Sequence, residues 1–444
     1  MGMHVMVKGE HRKKSLPDGN RAVKSPRFAR RSKRPPVRIL FAPYGTRGDI
    51  QPLIPLAQAL EVRGHRVRFV APENSVRWVG ALGFECISNG VDVEAEVRAI
   101  ESRASAIRRH VRHLGDRIIP CLFESVSRAA VDADLIVSSG IPLTSSSVAE
   151  ARGIPHVYAL FCPAALPNTD NPPPIVRYQT LPHGINALLW RAMLSLGDIA
   201  LRPAIDRGRA GLGLAPARRP LTDFIRARMI LAADPELAPL TARMPAASLQ
   251  TDPWIFHDPA PLDPRVRAFV DAGPPPIYVG FGSMVATAPL NLGQCVVRAA
   301  RLAGRRLLVA GGWAALDRSV SASDDVLAIP DAPHEKLFPL MAAVVHHGGA
   351  GTTTAAARAG TPQVIVPHML DQFYWARRVE VLGLGPRSLP ISAVTVDALA
   401  GRIAAVTGET AFHARARAFG SRAARRDGVP AAVQYLDDRL DKLY

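Results

Sequence analysis

Short apolar runs alternate with segments of helical spacing along the chain from residue 37 onwards. The run Val37–Ala42 is too continuous for a strand with one solvent-facing side, so it predicts a strand buried on both faces. Apolar positions then recur at helical spacing from Leu53 to Leu60. The further strands predicted in this half are Val67–Ala71, Leu135–Ser138 and His156–Leu160. Strand, loop, helix and strand in this order indicate an open parallel sheet.

A second series of buried strands occupies the last part of the chain. These predicted strands are Ile277–Phe281, Arg306–Ala310, Val326–Ile329, Ala343–Val345 and Val364–Val366. The Pro-rich stretch from Asp252 to Pro276 separates the two series and has the composition of a linker. We therefore predict an α/β protein with two doubly wound, Rossmann-like domains, residues 37–255 and 256–444, facing each other across a cleft. The last helix is expected to pack back on the first domain.

Ligands of such sheets bind outside the carboxyl ends of the strands. The Pro-rich piece Phe161–Pro174 follows a strand of the first domain, so it is placed to overhang the cleft.

The positive charge of the chain is unevenly distributed. The formal net charge is +17, and residues 1–36 contribute 11 basic and two acidic side chains to it. Because this segment lacks apolar periodicity, we expect a disordered, dispensable tail rather than a signal peptide, with weak contact to an anionic surface as the alternative and nucleic-acid binding a minor one.

The apolar runs and the cysteines exclude several classes of protein. No run of about 18 apolar residues predicts a membrane span. The four cysteines are scattered without a C-x-x-C pair, which argues against a disulfide scaffold or a structural zinc site and favours the cytoplasm.

The segment Val344–Thr353 (VVHHGGAGTT) carries the strongest local signal. A strand ends in two histidines, passes through a glycine loop and enters a helix rich in Thr and Ala. The unpaired N–H groups of a helix N-terminus beside an imidazole can hold a diphosphate, although the same loop could simply turn a strand into a helix. Neither the dinucleotide-binding nor the P-loop glycine fingerprint is present.

Three further positions follow predicted strands. Asp371 and Gln372 can hold vicinal sugar hydroxyls, or lie in an exposed loop or cap the helix that starts near Phe373. Ser283, in the turn after the first strand of the second domain, can meet a phosphate oxygen, or simply belong to a turn between strand and helix. Asp49 follows the first strand of the chain and can act as a general base, or can cap the helix from Leu53.

These motifs, in this order, resemble the nucleotide-sugar glycosyltransferases of the GT-B fold, and particularly the vancomycin-group aglycone glycosyltransferases and the sterol glucosyltransferases. The segments that carry the resemblance lie between about Val37 and the C-terminal helices: GTRGDIQPLIPLAQAL (45–60), FCPAALPN with NPPP (161–174), AADPELAPL (232–240), DAGPPPIYVGFGS (271–283), GGW (311–313), HHGGAGTTTAAARAGTPQVIVP (346–367) and LDQFYWARRVEVLGLG (370–385).

The resemblance implies a role for each matching residue. Asp49 would be the catalytic base for the acceptor hydroxyl, with Asp371 as a second catalytic carboxylate that also contacts the donor sugar together with Gln372. Thr46 and Arg47 would lie in the turn near the leaving group. The residues implied to bind the donor diphosphate are Ser283, His347, Gly348, Gly349, Gly351 and Thr352.

The resemblance also bears on the donor nucleotide. Plant relatives carry a uracil-stacking tryptophan where this chain has Asp331–His334, which leaves UDP and dTDP both open.

The reaction implied is transfer of a hexose or deoxyhexose from a UDP- or dTDP-sugar to a hydroxyl of a hydrophobic acceptor, such as a natural-product aglycone, sterol or lipid. Inversion is expected, with no metal and no cofactor. A GT-B epimerase or a non-catalytic sugar-nucleotide-binding protein are the alternatives.

Two segments allow more than one interpretation. The apolar stretch Ile185–Leu196 is typical of an acceptor lid, a membrane-docking segment or a core helix. Asp132 and Asp134 resemble the metal-binding D-x-D of another glycosyltransferase fold, but they directly precede a buried strand and are expected to be structural.

Overall fold

The computed structural model describes residues 36–101, 112–140, 143–225, 227–241, 244–245, 247–284, 292–313 and 315–440, apart from the side chains of residues 100, 101 and 319. The tail predicted to be disordered therefore lies almost entirely outside the described residues. Within them, no helix is long and apolar enough to cross a membrane.

The first half of the chain forms a seven-stranded parallel sheet in the order β3-β2-β1-β4-β5-β6-β7. Its strands are β1 (Arg38–Tyr44), β2 (Arg66–Ala71), β3 (Glu85–Ser88), β4 (Leu135–Gly140), β5 (His156–Leu160), β6 (Met229–Ala232) and β7 (Leu249–Thr251). The strand order reverses between β1 and β4, so the crevice at their carboxyl ends is the switch point where ligands bind in such sheets.

The second half forms a five-stranded parallel sheet in the order β10-β9-β8-β11-β12. Its strands are β8 (Ile277–Gly280), β9 (Leu307–Ala310), β10 (Val326–Ile329), β11 (Ala343–His346) and β12 (Gln363–Ile365). Here the order reverses between β8 and β11. The two sheets therefore confirm the predicted α/β class with two doubly wound units.

Helices cover both faces of the sheets. Those of the first half are α1 (Arg47–Ile50), α2 (Leu53–Val62), α3 (Glu73–Ala81), α4 (Val93–Glu101), α5 (Ile119–Ala129), α6 (Leu143–Arg152), α7 (His183–Gly211) and α8 (Pro220–Ile225). Those of the second half are α9 (Pro264–Asp271), α10 (Leu292–Leu302), α11 (His334–Leu337), α12 (Ala350–Arg358), α13 (Gln372–Val381), α14 (Val396–Gly408), α15 (Thr410–Ala423) and α16 (Val429–Leu440).

An apolar cluster joins the two halves beside the cleft. It combines strand residues of the first sheet, such as Leu160 and Leu231, with Trp375 of α13. The segment predicted to overhang the cleft contributes Cys162 and Leu166 to this cluster, with Pro163–Ala165 as a short 3-10 turn. This segment is therefore packed between the halves.

Two connections cross between the sheets. Within the Pro-rich stretch, Trp254 and Phe256 are buried in the core of the first sheet, and α9 begins at Pro264. The last helix, α16, buries Val433 and Leu436 in the same core. The two ends of the second half are thus both attached to the first sheet.

Candidate active site

The turn after β1 holds the Asp49 carboxylate in place. The backbone N–H of Thr46 donates a hydrogen bond to Asp49 Oδ2 over 2.8 Å, the arrangement of a capping box. Gly45 has φ +150°, and a Cβ at this residue would lie 2.0 Å from Asp49 Oδ2. The carboxylate thus occupies space that only glycine leaves free. The expectation that Asp49 caps α2 is wrong, because Pro52 holds that position; the capping contact of Asp49 is with the N-terminus of α1.

The electrostatic surroundings of Asp49 favour its protonated form. Burial raises the pKa of its carboxyl, the Thr46 N–H bond partly lowers it, and the negative charge of Asp371 raises it further, to about 7. Asp49 belongs to the first sheet and Asp371 to the second, so this interaction acts across the cleft. Burial raises the pKa of Asp371 as well.

The loop between β11 and α12 is shaped by His346. This imidazole is fully buried; its Nε2 contacts Gln363 Oε1 at 2.9 Å, and its Nδ1 accepts the backbone N–H of Gly348 at 3.1 Å. Since the amide oxygen can only accept, Nε2 carries the proton. His346 therefore fixes the start of the glycine loop.

His347 points instead toward the turn after β8. A Cβ added at Gly349 would lie 2.5 Å from His347 Nε2, and one added at Gly282 would lie 3.2 Å from its Cε1. The Nδ1 atom is buried and has no hydrogen-bond partner among the described residues. Burial holds the pKa of His347 well below its usual value, so the ring is neutral at pH 7.

The N-terminus of α12 completes this side of the cleft. Gly349 occupies the cap position without a side-chain cap, so the N–H groups of the first helical turn at residues 350–352 have no partner within the helix. Thr352, within this first turn, and Ser283, in the turn after β8, are both partly exposed. Such a set of donors is suited to an anion.

Asp371 and Gln372 form the junction between β12 and α13. Asp371 Oδ2 accepts a hydrogen bond from Trp375 Nε1 at 3.0 Å, and it makes no side-chain cap for the helix. Gln372 is buried: its Oε1 accepts the backbone N–H groups of His368 and Met369, at 2.7 and 3.0 Å. In this state the Gln372 amide organises the loop that presents Asp371.

An ion pair spans the cleft beside the Asp49 turn. Arg47 of α1 contacts Asp331, which follows β10, at 2.5 Å, and its guanidinium lies 5.1 Å from the centre of the Trp78 ring. Asp331 lies in the segment where plant relatives carry the uracil-stacking tryptophan. Arg47 thereby connects the candidate base turn with the candidate nucleotide end of the second sheet.

The structure brings the predicted site residues to the two facing switch points. Thr46, Arg47 and Asp49 follow β1; Ser283 follows β8, His347 to Thr352 follow β11, and Asp371 and Gln372 follow β12. The sequence did not indicate Trp375 as part of the site, and it named Asp331 only as the start of the segment expected near the nucleotide base. The only available signal for Trp375 was its position four residues after Asp371, one helical turn away.

The D-x-D sequence lies elsewhere. The Asp134 carboxylate accepts the backbone N–H of Arg38 at 2.7 Å, and Asp132 pairs with Arg68 at 3.1 Å. Both acids precede β4, at the edge of the sheet opposite the cleft, which supports their structural interpretation. Among the described residues, no group of three or more His, Cys, Asp or Glu side chains is arranged to hold a metal ion.

Comparison with known proteins places this geometry in a family. Residues 39–164 match the glycosyltransferase family 28 N-terminal domain, and residues 315–434 match the C-terminal domain of erythromycin biosynthesis protein CIII-like proteins. The chain is 35% identical over 412 residues to vancomycin aglycone glucosyltransferase of Amycolatopsis orientalis, which covers 91% of this chain and 98% of that protein.

A second relative and a solved structure extend the comparison. A sterol 3-beta-glucosyltransferase of Arabidopsis thaliana is 27% identical, over 83% of this chain and 63% of its own length. The crystal structure of the glycosyltransferase VinC in complex with dTDP has the same fold, with a TM-score of 0.66 at 21% identity, over 91% of this chain and all of that one.

Proposed function

The chain belongs to the nucleotide-sugar glycosyltransferases of the GT-B fold, and on that premise we propose that it transfers a hexose or deoxyhexose from a UDP- or dTDP-sugar to a hydroxyl of a hydrophobic acceptor. Relatives of natural-product and sterol type support the acceptor class: one is named for the vancomycin aglycone and another for a sterol. The dTDP bound by VinC supports a pyrimidine nucleotide donor. The epimerase and non-catalytic alternatives are not favoured, because the relatives are named transferases.

The proposed mechanism rests on the position of one carboxylate: Asp49 follows β1 at the switch point and is held there by the Thr46 N–H, and burial together with Asp371 raises its pKa to about 7. Asp49 removes the proton from the acceptor hydroxyl as the oxygen attacks the anomeric carbon of the sugar. The bond from that carbon to the diphosphate oxygen breaks, and the nucleoside diphosphate leaves with the electron pair. A single displacement of this kind inverts the anomeric centre.

The leaving group is stabilised by neutral donors and by the helix dipole. The free N–H groups at the start of α12, the imidazole of His347 and the Ser283 hydroxyl face the position of the diphosphate. Since these groups supply the stabilisation that a metal ion gives in other transferases, we propose that transfer is metal-independent. Asp371, fixed by Trp375, contacts the sugar hydroxyls.

The proposal is tested by assaying purified protein with a panel of UDP- and dTDP-sugars against aglycone, sterol and lipid acceptors, with detection of glycoside and nucleoside diphosphate. Asp49→Asn should lower turnover at least about 100-fold, while Asp397→Asn, at an exposed carboxylate on α14, should not. Turnover by Asp49→Asn at the wild-type rate would remove Asp49 as the base, and absolute dependence on Mg²⁺ would contradict the mechanism.

The Asp49→Asn variant should remain folded. Because the pKa of Asp49 is raised in the folded state, the folded protein binds this proton more tightly than the unfolded chain, and the stability it contributes is lost as the pH rises through about 7. A neutral amide avoids that loss, so above pH 7 the variant should unfold at the same or a higher temperature. A loss of activity in this variant would then reflect the loss of the catalytic base and not unfolding of the protein.

A further inference from the structure

Helix α7 turns an apolar face to the solvent. Ile185, Leu188, Leu196 and Ile199 are 45, 65, 66 and 72% exposed. Together with exposed Ala192 and Pro203 they recur every three or four residues, so they lie on one side of the helix. We call these six residues the outer stripe.

The orientation of this helix is fixed by its opposite face. Trp190 is buried and donates its Nε1–H to the backbone oxygen of Asn171 at 2.9 Å, and the Asn186 amide donates to that of Thr169 at 2.8 Å. Further along, Asp198 accepts hydrogen bonds from the backbone of Leu221 and Thr222. The outer stripe therefore cannot turn inward without breaking these contacts.

Exposed apolar side chains are concentrated in this part of the surface. Six of the eleven large apolar side chains that are strongly exposed in the described part of the chain lie between residues 175 and 199. Besides the four on α7 they are Ile175 and Tyr178, in the segment that leads into the helix. A soluble monomer rarely leaves so many together unless they bind something.

Along α7, arginines outnumber acidic residues four to two. At about 100° per residue, Arg191 and Arg202 border one edge of the stripe and Arg207 the other. Arg202 pairs with Asp206 over 3.3 Å and Arg207 with Asp116 over 3.5 Å, so exposed Arg191 carries most of the uncompensated positive charge at the border. Between residues 171 and 205 the only acidic residue is Asp198, which is buried. An apolar stripe bordered by arginines, on a helix with a net positive charge, is the pattern of a helix that lies in the surface of an anionic membrane.

We infer that the outer stripe of α7 docks the protein onto an anionic lipid bilayer. The net charge of +17 adds a long-range attraction to such a surface. This inference goes beyond the proposed function and does not depend on it; for a lipophilic acceptor it would bring the enzyme to where that acceptor partitions.

The test is sedimentation of the full-length chain with vesicles of phosphatidylcholine alone or mixed equally with phosphatidylglycerol. Wild type should bind the anionic vesicles, bind phosphatidylcholine at least about tenfold less, and lose affinity as NaCl rises from about 0.1 to about 0.5 M. Leu188→Asp with Leu196→Asp should weaken binding at least about tenfold.

The matched control carries the same charge change at equally exposed apolar sites away from α7. Val131→Asp with Leu302→Asp, at residues 69 and 62% exposed, should bind like wild type. If the α7 variant binds as well as the control, the basic N-terminal segment drives binding and the inference is wrong. A wild-type dimer that the α7 variant breaks, without vesicle binding, would identify a second copy as the occupant and equally overturn it.

Discussion

Gly45 determines where the Asp49 carboxylate lies. Since a Cβ at residue 45 would fall 2.0 Å from Asp49 Oδ2, Gly45→Ala must displace the carboxylate or the turn that carries it. We expect turnover to fall about 100-fold, as for other small displacements of a reacting group, with the affinity for the nucleotide donor changed less than about twofold. Steady-state kinetics and calorimetric titration with the nucleoside diphosphate measure the two effects separately.

Gly64 provides the matched control for this substitution. It also has a positive φ, +95°, but a Cβ there would meet nothing within 4 Å. Gly64→Ala therefore introduces backbone strain of roughly 1–2 kcal/mol without touching the site. Equal losses of turnover in both variants would mean that strain, and not displacement of Asp49, explains the effect.

The pH dependence of the reaction follows from the pKa of Asp49. Below about pH 7 its carboxyl is protonated and cannot accept the acceptor proton, so kcat/KM should rise with pH through a one-proton step centred near 7. Because the charge of Asp371 raises this pKa, Asp371→Asn should move the step to lower pH. Residual activity of that variant is measured across the pH range.

The Asp397→Asn variant again serves as a control and should leave the step in place. A step near pH 4 in the wild-type enzyme would show that Asp49 has an ordinary carboxyl pKa or is not the base.

At the residue scale, the sequence predicted where the candidate site residues lie in the fold better than which side chains they contact. Asp49, His347 and Asp371 could be identified because they follow buried strands, and carboxyl ends of parallel strands meet at one edge of a sheet. The contact of Trp375 with Asp371, and the use of the Gln372 amide by its own loop, depend on side-chain directions that spacing does not specify. The Arg47–Asp331 pair joins residues 284 positions apart.

At the scale of elements, all five strands of the second sheet and four strands of the first were predicted, and three strands of the first sheet were not. His156–Leu160 and Val326–Ile329 have the predicted bounds, and β3 and β7 were missed. β3 and β7 lie at the two edges of the first sheet, where partial burial leaves little apolar signal. β6 was also missed although it is fully buried and as long as β10, because a short apolar run does not by itself distinguish a strand from a helical segment.

A prediction about the donor diphosphate follows from the position of His347 beside the N-terminus of α12. If His347 contacts this group, His347→Ala should weaken binding of UDP or dTDP about tenfold or more, the loss expected for a hydrogen bond to a charged group. Binding of the nucleosides uridine and thymidine, which lack the diphosphate, should not change. Calorimetric titration with each pair measures the difference.

His257→Ala is the control for His347→Ala. The His257 imidazole is well exposed and pairs with Glu335 outside the glycine loop. Parallel weakening of diphosphate and nucleoside binding by His347→Ala would mean that the variant distorts the whole loop and does not report a single contact.

At the scale of the whole molecule, the chain connects its two halves through its C-terminal segment. After α15 the chain returns to the first sheet, where α16 packs into the core beside α2. Arg426, between these helices, binds both carboxylate oxygens of Asp234, which follows β6, at 2.7 and 2.8 Å. The Asp234 side chain is only 2% exposed, so this ion pair links the two halves through a buried carboxylate.

Removing Arg426 should therefore destabilise the whole protein. Arg426→Ala leaves the buried Asp234 carboxylate without its cation, which we expect to lower the free energy of unfolding by about 3 kcal/mol. Arg301→Ala breaks an equally well-formed pair with Asp325, but there both side chains are more than a third exposed, so the loss should stay below about 1 kcal/mol. Urea unfolding of both variants measures the difference. If Arg426→Ala lowers the free energy of unfolding no more than Arg301→Ala does, the apolar packing of α16 holds the C-terminal segment to the first sheet without the ion pair.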